Sequence, residues 1–448
     1  MSNAFETLKS KLESGDALAA VVGMGYVGLP LASSLHRGGL RVLGLDIDPA
    51  KIEALEKGEN YLKHLGDEMT SELASSNRFE ASADFSRQAE ADVVIVCLPT
   101  PLGRHREPDL SYVVASGESI GKYLRAGQLI SLESTTYPGT TRGEFLEAIK
   151  KGMGESGTDL ACGEDYFVAY SPEREDPGRK DHTTSTIPKL VGGLDDRATD
   201  LAVQMYAKGI ANVHRVESAE IAEAAKLLEN IFRAVNIALV NEMKTVMDGL
   251  GIDVWKVIDA ASTKPFGFMR FTPGPGLGGH CIPIDPFYLS WKAREAGVTT
   301  RFIELAGEVN TAMPAYVINR AADALNERGK AVKGSKVLVM GLAYKPDVDD
   351  VRESPAFELI DLLLDRGAMV DYADPHVPQT PSMRHYDIEM QAVEPTAAAL
   401  ASYDAVLIAT DHKAFDYGQV AEHARLVIDT RNAMAEHADA MGDRLVKA

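Results

Sequence analysis

The residues Leu277-Gly278-Gly279-His280-Cys281-Ile282-Pro283-Ile284-Asp285-Pro286 place a thiol, an imidazole and a carboxylate in one glycine-flanked segment, preceded by Gly274 and Pro275. A thiolate is a nucleophile, glycines beside it let a substrate approach, and a carboxylate four residues on can handle protons. A buried cysteine is more often a small hydrophobe, and residue types alone leave these two readings of Cys281 balanced. The plainer reading serves Cys97, inside an apolar run, and Cys162. His280 reads better as a hydrogen-bonded packing residue than as a base or ligand.

Gly23-Met24-Gly25-Tyr26-Val27-Gly28 is a second source of chemistry. G-x-G-x-x-G after a strand and before a helix permits a tight turn, backbone approach to a pyrophosphate, and close helix–strand packing. Asp46 ends the next strand, 18 residues past Gly28. There a carboxylate can accept hydrogen bonds from a ribose diol and repel a 2′-phosphate, so NAD is expected over NADP. Lys51 fits a place beside that ribose and equally an exposed helix position.

Lys226 and Asn230 are one helical turn apart. At 100° per residue they fall roughly opposite a Leu228–Val235 stripe. Lys244 and Asn241 share their side, which reads most simply as a solvated face; an ammonium and a carboxamide could also bind an alkoxide or a water. Residues 131–141, SLESTTYPGTT, set hydroxyls at a strand end, and Ser171-Pro172-Glu173-Arg174 sets a carboxylate at another. Each fits turn and capping chemistry as well. Lys345 and Arg352 follow a later strand as basic groups in an acidic chain.

Those groups need elements to hold them. Short apolar runs alternating with amphipathic stretches indicate βαβ units and a parallel sheet. Strands are expected at 18–22, 42–46, 93–97, 129–132 and 167–170, with helices at 29–37 and 112–124. Leu228, Phe232, Val235, Leu239, Met243, Val246 and Leu250 recur at steps of three and four, marking a long helix from about Ala219 to Gly251. At 1.5 Å per residue it would be a rod of roughly 50 Å, suited to bridging domains or building a dimer. A second series follows: strands at 337–340, 369–372, 406–409 and 426–429, with a helix at 355–366. The polar stretch 326–335 reads as the linker.

The chain has 448 residues, too many for one ordinary core, and its 45% hydrophobic and 25% charged content excludes wholesale disorder. A net charge of −20 offers no footprint for nucleic acid or an anionic membrane. An anionic substrate must therefore meet a local positive cluster. There is no apolar run of membrane-spanning length, and the charged first twenty residues lack a signal-peptide core. Three scattered cysteines speak for a reducing compartment rather than a disulfide framework. A cytoplasmic protein is expected.

These motifs, taken in order from Val21 to about Asn432, resemble the UDP-sugar 6-dehydrogenase family. The resemblance implies two Rossmann-like doubly wound α/β domains joined by a central long-helix domain: 1–215 binding NAD, 216–325 carrying the cysteine loop and dimer helix, and 326–448 binding the UDP-sugar. It implies oxidation of a sugar C6 alcohol to a carboxylate with two NAD, through an aldehyde, a Cys281 thiohemiacetal and a thioester. Lys226, Asn230 and Asp285 then surround the oxyanion and attacking water, while Thr135 and Glu173 position water or substrate. Gly23, Gly25, Tyr26, Val27, Gly28, Asp46, Lys51, Thr100, Thr135 and Arg352 are the implied cofactor contacts. Gly278, Lys345 and Arg431 (in Asp-Thr-Arg-Asn) join Glu173, Lys226 and Asn230 as substrate contacts, with Lys264 or Arg270 as the basic group from a second subunit. No metal is implied.

The chain has His280 before the cysteine and Ile284 before the aspartate, where the UDP-glucose pattern has Ser and Lys. In this, and in SLESTTYPGTT, SPEREDPG and TKPFGF, it is most similar to the branch acting on UDP-N-acetylglucosamine for bacterial surface polysaccharides, with UDP-glucose, UDP-N-acetylmannosamine or UDP-N-acetylgalactosamine as the alternative substrates. A two-electron β-hydroxyacid dehydrogenase would leave Cys281 and the last domain unexplained. A non-catalytic NAD sensor would leave the reactive residues without a purpose.

Overall fold

The computed structural model describes residues 4–62, 65–103, 107–174, 185–279, 282–381, 383 and 386–448. His280 and Cys281 lie outside the described residues. The chain divides into two compact units, Met1–Glu229 with Phe287–Val298, and Asn230–Pro286 with Thr299–Ala448.

The first unit is built on β1 (Leu18–Val22), β2 (Arg41–Leu45), β3 (Phe79–Ser82), β4 (Val93–Val96), β5 (Leu129–Leu132), β6 (Phe167–Tyr170), β7 (Lys189–Gly193) and β8 (Val213–Arg215). Their order in the sheet is β3-β2-β1-β4-β5-β6-β7-β8. All neighbours are parallel except β6 and β7. Strand order reverses beside β1, and Val22 pairs with both Leu45 and Val96. Three strand ends thus finish level at the switch point, where such sheets bind their ligands. Both faces are covered: Ala19 and Val21 enter one apolar core, Ala20 and Val22 the other. This two-sided burial is why the strands read as continuous apolar runs. β3, β7 and β8 escape the sequence pattern because FEAS, KLVGG and VHR are short and carry polar residues or glycine.

The second unit repeats the plan with β9 (Lys336–Met340), β10 (Met369–Ala373), β11 (Ala405–Ile408), β12 (Val427–Asp429) and β13 (Leu445–Lys447), ordered β10-β9-β11-β12-β13 and parallel throughout. Residues 327–335 connect the helix Arg301–Asn326 to β9. That 26-residue helix is absent from the sequence reading, and Pro314 lies inside it. An internal proline is a strong breaker signal, overridden here by burial of Pro314 with Met313, Val317 and Ile318.

The helix Ala219–Gly249 forms as expected, but with its sides exchanged. Glu223, Lys226, Asn230, Asn241 and Lys244 are buried, whereas Leu228, Phe232, Leu239, Val246 and Leu250 are exposed. The solvated-face reading of Lys226 and Asn230 is therefore wrong. Periodicity identifies two faces of a helix but not which of them meets water.

Candidate active site

The first glycine turn leaves β1 and opens the helix Gly28–Arg37. Gly23 has φ +93°, and a Cβ there would fall 2.5 Å from the Cys97 carbonyl oxygen. A Cβ on Gly28 would fall 1.8 Å from the Gly23 oxygen, while one on Gly25 would meet nothing within 4 Å. Two glycines are thus required by packing, and the middle one leaves the backbone open on the side a ligand needs. This fits a dinucleotide pyrophosphate at a helix N-terminus, with Tyr26 and Val27 completing the turn. Asp46 is buried at the end of β2. It accepts from Met24 N–H at 2.9 Å, Asp48 N–H at 3.0 Å and Lys51 Nζ at 3.0 Å. Lys51 is thereby tied to the carboxylate rather than free on its helix. The Thr100 carbonyl accepts from the Tyr288 hydroxyl at 2.8 Å.

The hydroxyl-rich run after β5 sorts itself. Ser131 bonds Tyr206, Ser134 accepts from Leu98 N–H, Thr140 donates to the Tyr137 carbonyl, and Thr136 and Thr141 both donate to Glu223. Among the described residues only Thr135 of these Ser and Thr side chains keeps its hydroxyl uncommitted. Glu223 also accepts from Gly139 N–H at 2.6 Å and Thr141 N–H at 2.9 Å. Burial pushes its carboxyl up to about 7, against the pull of these donors. Lys226 Nζ donates to the Glu173 carbonyl. Glu173 Oε1 accepts from Arg174 N–H, and the Arg174 guanidinium grips Glu229.

In the second unit Asn230 Nδ2 donates to Asp285 Oδ2 at 2.6 Å, both side chains buried. Asp285 is the first residue of the helix Asp285–Glu295, where a carboxylate also suits the helix dipole. The described glycines of the preceding segment are packed too closely to admit side chains. Gly274 N–H donates to Asn241, and a Cβ there would lie 2.4 Å from Arg431 Nη1. Cβ atoms on Gly278 and Gly279 would lie 2.7 and 3.0 Å from Tyr344. Arg431 spends Nε on the Ala409 carbonyl, and its terminal nitrogens make no hydrogen bond among the described residues. Asp429 fixes this turn by accepting from the N–H groups of Arg431, Ala433 and Met434. Burial lowers the Arg431 pKa, with Asp411 and Asp429 opposing it. Half-buried Lys345 lies over Tyr344. Arg352 forks onto Asp350 at 2.8 and 2.6 Å. Lys264 is exposed over Phe266, and Arg270 pairs with Asp259.

Sequence reasoning missed Glu223, the Lys189–Glu133 pair, Tyr288 and the Asn241–Asn310 bond. Each joins residues more than fifty positions apart, and a single glutamate or tyrosine carries no local signal. Asp347, His376 and His412 also cluster. His412 faces Asp347 N–H through Nδ1 and Asp374 Oδ2 through Nε2, so its ring is already spent inside the unit.

A parallel sheet with a switch-point glycine turn and a following acidic strand end defines a dinucleotide-binding α/β oxidoreductase. Residues 17–210 match the NAD binding domain of the UDP-glucose/GDP-mannose dehydrogenase family, 220–312 its central domain and 338–436 its UDP binding domain. The chain belongs to that family. It is 36% identical over 401 residues to the UDP-N-acetyl-D-glucosamine 6-dehydrogenase of Pseudomonas aeruginosa, covering 89% of this chain and 92% of that one. It is 32% identical to the UDP-N-acetyl-D-mannosamine dehydrogenase of Methanococcus maripaludis strain C7, covering 93% of each. The solved UDP-D-ManNAc dehydrogenase of Pyrococcus horikoshii superposes with TM-score 0.83 at 30% identity, covering 93% of this chain and 96% of that one. The protein is thus an NAD-dependent UDP-sugar dehydrogenase. No helix among the described residues is long and apolar enough to cross a membrane.

Proposed function

We propose that this enzyme oxidises C6 of UDP-N-acetyl-D-glucosamine to the uronic acid, in the cytoplasm, for a surface-polysaccharide precursor. The 36% identity to an enzyme of that name carries the choice of sugar. The mannosamine epimer is the second reading, favoured by the Methanococcus and Pyrococcus relatives. Domain limits at 215 and 325 go with this reading.

The Gly23–Gly28 turn and Asp46 hold NAD, with Lys51, Thr100, Thr135 and Arg352 around it. NAD supplies the hydride acceptor for both oxidations. The chain's own part is the rest. The Cys281 thiolate adds to the C6 aldehyde, forming a C–S bond and a thiohemiacetal. Loss of a second hydride from that adduct leaves a thioester, and water breaks its C–S bond to release the carboxylate and return the thiolate. Lys226 and Asn230 stabilise the oxyanion of each tetrahedral species, and Asp285, fixed by Asn230, moves protons. Thr135 and Glu173 orient the substrate or the attacking water; Thr135's uncommitted hydroxyl supports that role. Arg431, Lys345 and Gly278 meet the nucleotide-sugar, with Lys264 or Arg270 supplied by a second subunit.

A homodimer follows from the exposed stripe of the helix Ala219–Gly249, in which Leu228 is 65% and Leu239 54% exposed. The same face on a second copy is a self-complementary cover for it.

The test is NADH production against UDP-N-acetylglucosamine, its manno and galacto epimers and UDP-glucose. The expected result is a preference of tenfold or more for UDP-N-acetylglucosamine, with two NADH per uronate. A preference for an epimer would move the assignment to that sugar, and one NADH per product would end the four-electron mechanism.

A further inference from the structure

Lys189, the first residue of β7, has a side chain only 5% exposed. Its ammonium lies 2.8 Å from Glu133 Oε2, 3.4 Å from the Pro172 carbonyl and 3.5 Å from Glu173 Oε2. It also sits 5.1 Å from the centre of the Tyr206 ring. Glu133 follows β5, is fully buried, and stands two residues before Thr135. Glu173 follows β6 and is 15% exposed. One ammonium therefore ties together two strand ends that carry Thr135 and Glu173. Burial works against the Lys189 charge, and the two carboxylates outweigh it, holding its pKa above the ordinary lysine value.

A buried ion pair is weak evidence for a stabilising role. Taking an ion pair out of water costs several kcal/mol per ion, and a well-packed apolar pair of similar volume commonly serves as well or better. What an apolar pair cannot do is give direction to a carboxylate. A tetrahedral ammonium with three donors meets Glu133, Pro172 and Glu173 together, and the Pro172 carbonyl immediately precedes Glu173 in the chain. Lys226 holds the Glu173 carbonyl. Backbone and side chain of Glu173 are thus constrained by two separate lysines.

We propose that Lys189, anchored by Glu133, is a positioning residue that aims the Glu173 carboxylate at the reacting substrate. This rests on the role given to Glu173 above. The experiment compares Lys189→Met, Glu173→Gln and the double variant, using NAD and the UDP-sugar that wild type oxidises fastest. Lys189→Met should lower kcat tenfold or more while both KM values stay within threefold. In the Glu173→Gln background the same change should cost less than twofold, because its target is already gone. An equal loss in both backgrounds would overturn the proposal while leaving the Glu173 role standing. Wild-type kcat in Glu173→Gln would instead remove the Glu173 role and the proposal with it. Should Lys189→Met lose its cooperative melt, Glu133→Gln with Lys189→Met removes the fully buried charge and takes its place under the same criteria.

Discussion

Asp46 has two tasks at the residue scale. It can present a carboxylate to the ribose, and it already braces the glycine turn through Met24 N–H and the Asp48 and Lys51 contacts. Hydrogen bonds to a charged group contribute roughly 1.5–3 kcal/mol each. Asp46→Ser should therefore lower kcat/KM for NAD tenfold or more, and the NAD-to-NADP ratio should fall with it. Steady-state kinetics with both cofactors checks this; similar efficiency of the wild-type enzyme on NADP would remove the ribose role. Cys281 offers a cleaner separation. Cys281→Ala should abolish uronate formation and leave NAD binding nearly intact by titration. Cys281→Ser should accumulate a sugar ester detectable by intact mass, because an ester on serine hydrolyses slowly. Near-normal uronate from the alanine variant would refute the nucleophile assignment.

At the scale of elements, Glu223 shows how one long-range side chain organises a motif. From the first turns of the helix Ala219–Gly249 it takes four hydrogen bonds from Thr136, Gly139 and Thr141, capping the helical segment that begins at Thr141. Glu223→Gln keeps one acceptor oxygen but turns an amide NH2 toward a backbone donor at this buried site, as at Gly139 N–H, and should cost about 1–3 kcal/mol. The pH dependence has a definite sign. A carboxyl raised to about 7 keeps its proton in the native state after the unfolded chain has released it. Its contribution is complete below the unfolded value near 4.5 and is lost as pH rises through about 7. The stability gap between wild type and Glu223→Gln should therefore narrow from pH 4.5 to 7, by at most about 1.4 kcal/mol per unit. Urea melts at several pH values measure it, and a gap that widens would contradict the burial argument.

For the whole molecule, the proposed homodimer rests on an apolar stripe that the single chain leaves exposed. Leu228, Phe232, Leu239, Val246 and Leu250 are all 45% exposed or more. Fully burying such side chains contributes roughly 1.5–3 kcal/mol each, enough in sum to favour a stable dimer. Leu228→Glu with Leu239→Glu should yield monomers by light scattering at micromolar concentration, with a monomer's melt retained. A monomeric wild-type chain at that concentration would dispose of the dimer.

What the sequence by itself determined follows from local physics. Short continuous apolar runs announced nine of the thirteen strands among the described residues, missing β3, β7, β8 and β13, and the Gly23–Gly28 turn carried its own backbone requirement. Gly278 and Gly279 likewise signalled close approach, although only the fold shows Tyr344 as the group they admit. The tertiary structure decided everything that depends on who meets whom. It reversed the faces of the helix Ala219–Gly249, because periodicity is blind to which side is wet. It also consumed Ser131, Ser134, Thr136, Thr140 and Thr141 in internal bonds and left Thr135, a distinction no hydroxyl makes alone. Lys189 and Glu133 are 56 residues apart and meet only because β5 and β7 flank β6. Their pairing is a property of the sheet order, and strand order is not written in any local stretch of chain.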